Sequence, residues 1–143
     1  LQKFIKTPIC LDESILSTDD DSKAIAIGAC KIINIKPGRV GGLCESIKIH
    51  DLCKKKNIPV WCGGMLESGI GRSFNIALSS LPNFTLPADM SPSAIFYEED
   101  LIEPTYEVDL NGNIQVSDKI GLGYEVNEQK IKKYTTSKFC LTA

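Results

Sequence analysis

Four short apolar runs recur at a near-constant interval, and that interval limits the folds open to the chain. They are TPICLDE from Thr7, IINIK from Ile32, IPVWCGG from Ile58 and FTLPADM from Phe84. Their polar or glycine ends fall near Asp12, Lys36, Gly63 and Asp89, at spacings of 24, 27 and 26 residues. Short apolar runs bounded by turn residues read as buried strands. The stretches between them read as helices. The first has Thr18 as its N-cap and Asp19 to Asp21 in its first turn, where the helix dipole favours acids. The second carries Leu43, Ile47 and the Leu52/Cys53 pair, with Asn57 able to end it. The third carries Ile70, Phe74, Leu78 and Leu81 as a stripe. A strand–helix unit of an eightfold barrel averages about 31 residues. Four consecutive βα units fit this period with no internal sequence repeat. A doubly wound sheet uses similar units, and spacing alone does not separate the two. Pro37-Gly38 marks a turn, Pro87 weakens the last strand, and a short helix is expected over 93–98.

From Glu103 the texture changes. EPTYEVDLNGNIQVS alternates around an Asn111-Gly112-Asn113 turn, a hairpin signal. KIGLGYEVNEQKIKKY then reads as a tail returning over a domain, outside the βα series. The chain therefore divides at about residue 100, into 1–100 and 101–143.

Composition excludes several classes. The 143 residues carry a net charge of −2, which lacks the basic excess of a nucleic-acid binder. Lys54-Lys55-Lys56 reads as a solvated helix end. No apolar run approaches the roughly 18 residues of a membrane span, and no secretory signal opens the chain. The six cysteines, at 10, 30, 44, 53, 62 and 140, include no CxxC pair of the kind a zinc site shows. Cys10 and Cys62 lie in apolar runs and read as small buried hydrophobes of a reducing cytoplasm. His50, among Ile47, Ile49 and Leu52, reads as structural or surface-lying. The chain opens at Leu1 without a methionine, like a proteolytic piece or the downstream part of a longer protein.

In βα architectures chemistry gathers at the C-terminal strand ends. Here those ends hold Asp12-Glu13, Lys36, the run Gly63 to Ser68, and Asp89. Strand parity puts Pro8 and Cys10 on the face of Asp12, and Asn34 on the face of Lys36; Ile9, Leu11, Ile33 and Ile35 then face the helices. A strand-end carboxylate suits a hard cation such as Mg²⁺. A partly desolvated lysine beside it can lose its proton and act as a base. Together they point to proton abstraction next to a carboxylate. A plain Asp12–Lys36 ion pair is the structural alternative.

The strings TPICLDESI, IINIKPGRVGGLCESIKIHDLC and PVWCGGMLESGIGR, followed by TLPADMSPS, YEEDLIEP and GLGYEV, resemble the enolase superfamily. Within its muconate-lactonizing subgroup they are most similar to the o-succinylbenzoate synthase and N-acylamino acid racemase group. The resemblance covers essentially the whole chain. It implies an α/β fold, the C-terminal half of a capped (β/α) barrel, with residues 1–100 matching strands five to eight. The tail, 101–143, would belong to the capping domain. Asp12 matches an acidic Mg²⁺ ligand, and Lys36 matches one of two opposed acid/base lysines. Gly64, Met65, Leu66, Asp89 and Ser91 match positions lining the substrate pocket. Glu13, Asn34 and Glu67 stand behind these as orienting groups, with a cap for the start of the following helix as the alternative role of Glu67. Arg39 and Arg72 are expected to pair with acids, or to steer an anionic substrate.

The family's other lysine and its other metal ligands lie on strands outside this sequence. The expectation is an enzyme part, inactive alone, whose whole acts on a small carboxylate in the cytoplasm as a homo-oligomer. Its raw sheet edges are expected to self-associate or to bind the missing N-terminal half. A muconate cycloisomerase or dipeptide epimerase is the nearby alternative. A free-standing half-barrel assembly module is the alternative of a different class.

Overall fold

The computed structural model describes residues 1–141. Three parallel strands, β1 (Cys10–Leu11), β2 (Ile32–Ile35) and β3 (Val60–Cys62), lie side by side in sequence order. Helix α1 (Thr18–Ala26) connects the first two. The short α2 (Pro37–Val40) and the long α3 (Leu43–Lys55) connect β2 to β3, and α4 (Gly69–Ser79) follows. The alternation of strand and helix matches the sequence reading.

The expected fourth strand is reduced to a parallel bridge between Val60 and Phe84. Val60 donates to Asn83 O at 3.2 Å, and Asp89 donates to Cys62 O at 3.0 Å. Between these anchors lies Pro87, which has no N–H to offer. The segment therefore follows β3 without forming a ladder, yet still delivers Asp89 to the strand-end side.

The sheet separates its residues by parity. Ile9, Leu11, Ile33, Ile35 and Val60 pack with Ile15, Val40, Ile49, Cys53 and Leu78 in one core on the helix side. Asp12, Asn34, Lys36 and Trp61 belong to the other parity, and the Trp61 indole N–H donates to Cys10 Sγ at 3.2 Å. Cys10 is exposed on that face, which corrects its assignment as buried; Cys62 is fully buried. Burial pushes the Cys62 thiol up to about 12, and all six cysteines are free thiols.

Two helix readings shift. Ser17, not Thr18, caps α1, its hydroxyl oxygen accepting from Asp20 N. Thr18 instead gives both its N–H and its hydroxyl to Glu45, at 2.8 and 2.7 Å, joining α1 to α3. In α3 the buried stripe is Ser46, Ile49, His50 and Cys53, while Ile47 is exposed. His50 is structural as expected: it stacks on Phe84 and accepts from Asn83 N at 3.2 Å. Asn57 ends the helix in the left-handed region, at φ 54°.

Residues 93–95 form a 3₁₀ turn where a short helix was expected. Beyond it, β4 (Ile102–Glu103) pairs antiparallel with β5 (Glu125–Val126), and α5 (Glu128–Tyr134) follows. The expected hairpin contributes one antiparallel bridge, Val108 to Ile114, around Gly112 at φ 82°. Ile102 and Tyr106 form a second core with Ile76 of α4, so the tail packs on that helix. Among the described residues no helix is long and apolar enough to cross a membrane.

Asp21 is fully buried, with Oδ2 accepting from Cys53 Sγ at 3.3 Å and Oδ1 without a partner among the described residues. Burial pushes its carboxyl up to about 6, against the opposing pull of the Cys53 hydrogen bond. The folded chain thus holds this proton more tightly than the unfolded chain. The stabilisation is complete below the ordinary carboxylate value and is lost as pH rises through about 6. Asp21→Asn is expected to exceed the wild type by about 2 kcal/mol at neutral pH, with the gap closing toward about pH 4. Denaturant midpoints across that range check it, and a pH-independent gap would contradict it.

Candidate active site

The ends of β1 and β2 meet at the Asp12 carboxylate. Lys36 Nζ donates to Asp12 Oδ2 at 2.9 Å, and Arg39 Nη1 donates to Oδ1. Arg39 also donates from Nε to Ile15 O at 2.9 Å and from Nη2 to Asn34 O at 2.6 Å. The local sequence explains this meeting. A proline keeps its preceding residue extended, and Lys36 has φ −120°, ψ 105°. Pro37 then opens α2 at a position that suits its fixed φ. That single turn carries Arg39 back over the strand end. Burial pulls the Asp12 carboxyl upward, but the Lys36 hydrogen bond and the Arg39 and Lys36 charges hold it below the ordinary carboxylate range. Arg39 thus pairs with an acid, as expected.

Gly63, at the end of β3, makes room for this group. A Cβ there would lie 2.6 Å from Asn34 Nδ2 and 2.7 Å from Lys36 Cε. Asn34 is fully buried and its amide has no hydrogen-bond partner among the described residues. At Gly64 a Cβ would lie 2.5 Å from Asp89 O, so this glycine lets the β3 end and the Asp89 segment touch backbone to backbone.

The loop after β3 is held from several sides. Glu67 accepts from Met65 N at 2.8 Å and from Asn75 Nδ2 at 3.2 Å. Glu67 is therefore an orienting group of its own loop. Asp100 Oδ1 accepts from Gly69 N at 2.7 Å at the start of α4, so of the two roles open to Glu67 the cap falls to another residue. Arg72 pairs with no acid among the described ion pairs, contrary to expectation; it donates to the carbonyls of Glu67, Met65 and Ser91 at 3.1, 3.2 and 2.6 Å.

The structure thus brings Asp12, Asn34, Lys36 and Gly63 into one group. It joins Gly64 to Asp89, and Met65, Glu67 and Ser91 to Arg72. Met65 and Leu66 are exposed. Glu13 is also exposed. The sequence reading missed Tyr97, which donates to Leu66 O at 2.8 Å, and Tyr106, which donates to Ser91 O at 2.5 Å. Both follow the last strand-like segment, and no local pattern marks them.

A Mg²⁺ ion needs several hard oxygen donors. Both Asp12 oxygens are bonded to cations, and no group of three or more metal-ligating side chains gathers among the described residues. These residues alone do not form a fitting Mg²⁺ site.

Residues 1–130 match the family model described as Enolase C-terminal domain-like. The chain belongs to this family of α/β barrel domains. It is 59% identical over 136 residues to the o-succinylbenzoate synthase of Bacillus subtilis, covering 95% of the chain and 36% of that relative. It is 51% identical over 138 residues to the N-succinylamino acid racemase of an Amycolatopsis species, covering 96% and 37%. A solved enolase superfamily member from Listeria innocua superposes with a TM-score of 0.89 at 45% identity, covering 95% of this chain and 36% of that one. The chain spans a little over a third of the length of these relatives.

Gly63→Ala is expected to cost about 1–3 kcal/mol, because its Cβ has no place beside Asn34 and Lys36. Urea midpoints test this; an unchanged midpoint would mean that both side chains yield freely.

Proposed function

We propose that the chain is part of an enzyme that removes a proton next to a carboxylate. The whole protein would then act as an o-succinylbenzoate synthase, by dehydration, as an N-acylamino acid racemase, or as both. The observation that supports this best is Lys36, held at the strand ends against Asp12 with Gly63 clearing space around its stem. Similarity to both kinds of relative favours the pairing of activities, since each begins with the same proton removal.

In this reading residues 1–100 supply barrel strands five to eight and 101–143 return to a capping domain. Lys36 moves the proton. Gly64, Met65, Leu66, Asp89 and Ser91 line the pocket, and Glu13, Asn34 and Glu67 orient its walls. Asp12 is one ligand of a Mg²⁺ site whose other ligands come from the rest of the protein. The 141 described residues then turn over no substrate alone, since they bring one carboxylate to the place and one lysine. The substrate is a small carboxylate, and the barrel is completed by the N-terminal half in a cytoplasmic homo-oligomer.

The chemistry assigned to this chain is the handling of one proton. The fold holds Lys36 Nζ at a fixed point, with Asp12 Oδ2, the oxygen that would serve the metal, as its counter-charge in this chain. Arg39 stays on Asp12 and keeps that carboxylate in place. The buried outer face of the sheet keeps water from reaching the lysine from behind.

The 2.9 Å Lys36–Asp12 contact also suits a second reading, a purely structural ion pair. Replacement separates the two. In the full-length protein, Lys36→Ala is expected to lower racemisation of an N-succinylamino acid and α-proton exchange in D₂O by 10²-fold or more, about what one general base contributes. The structural reading predicts lost stability with no special loss per folded molecule.

A further inference from the structure

We propose that Arg72 is a positioning residue for the pocket mouth, setting the loop after β3 relative to Ser91 by gripping backbone. The proposal rests on reading this region as the substrate pocket.

Arg72 is 2% exposed, an uncommon place for a charge that cannot be discharged. A buried guanidinium is tolerable only with its donors met. Each of the three Arg72 nitrogens donates to a carbonyl and none to a carboxylate, the partners being Glu67 O, Met65 O and Ser91 O, and the guanidinium lies 5.1 Å from the Phe96 ring centre. Its partners come from two separate stretches that reach the same rim. One is the loop after β3; the other is the segment whose Asp89 oxygen touches Gly64.

The pattern of acceptors is informative. Leu66 O, between the two loop carbonyls bound by Arg72, accepts from Tyr97. Three consecutive carbonyls, 65 to 67, are thus each held by a side chain from outside the loop. Ser91 O is held twice, by Arg72 and by Tyr106. A stretch with no ladder bonds is fixed from behind, while Met65 and Leu66 are left at the surface. A residue serving stability alone would have no reason to collect acceptors from both stretches that carry proposed pocket residues. Lysine cannot replace this grip, because one ammonium lacks the planar fork that spans diverging acceptors.

The test uses the full-length protein and two variants, Arg72→Lys and Tyr106→Phe. Steady-state kinetics with an N-succinylamino acid are read beside amide hydrogen exchange. For Arg72→Lys, KM is expected to rise about tenfold with kcat within about threefold, as for the loss of one or two strong hydrogen bonds to the frame. Exchange at Met65 to Glu67 should quicken about tenfold, with Ile33 and Ile35 of β2 unchanged. Tyr106→Phe keeps its ring in the second core and should quicken exchange around Ser91 but not at 65–67. An unchanged KM with unchanged loop exchange overturns the proposal. So does faster exchange throughout the barrel with KM constant, which marks a stability role only. If the wild type neither turns over an N-succinylamino acid nor forms o-succinylbenzoate, the functional reading fails, and exchange alone decides: local quickening at 65–67 upholds the positioning role, and its absence refutes it.

Discussion

The strand-end rim depends on one carboxylate held by two cations. Asp12 ends β1, Lys36 ends β2, and Arg39 comes from the turn that follows. Through Arg39 the same carboxylate is tied to the carbonyls of Ile15 and Asn34, so one group ties together the exits of two strands and the start of α2. Mutual compensation makes such a charge cluster tolerable at a partly buried rim. In the proposed chemistry the lysine of this cluster is also the proton carrier. Fold and proposed chemistry share the same atoms.

The two faces of the sheet divide the work. Isoleucine and valine at alternate positions join the helices in a dense core. The intervening positions carry Asp12, Asn34, Lys36 and Trp61, which would be costly in that core. Period-two alternation is what permits both demands to be met by strands of two to four residues. The rest of the positioning comes from glycines. Gly63 and Gly64 are used less for conformational freedom than for the volume they leave to Lys36, Asn34 and the Asp89 backbone.

Much of this was legible in the sequence, for identifiable reasons. Strand position and parity followed from short β-branched runs, and Pro37 marked the end of β2. The resemblance named Asp12 and Lys36, and the structure places them in contact. What was not legible depended on choices between equal local options. In α3 both Ile47 and Ile49 are apolar, and the sheet selected the face of Ser46, Ile49, His50 and Cys53. Phe74 read as core, yet it lies exposed beside a groove lined by Pro37 and Leu43. The capping of α4 by Asp100 spans 31 residues, and the hold of Tyr106 on Ser91 spans 15. No local pattern encodes such distant bonds, and a run such as FTLPADM looks like a strand until Pro87 fails to donate.

The grip on residues 65 to 67 has an evolutionary consequence. Every amino acid carries a carbonyl, so exchanging Met65 or Leu66 removes none of the bonds that Arg72 and Tyr97 make to that stretch. Loop shape and loop chemistry are inherited separately. Under the pocket role proposed for Met65 and Leu66, point changes at these two exposed positions alter what the loop presents, with the scaffold left as it was.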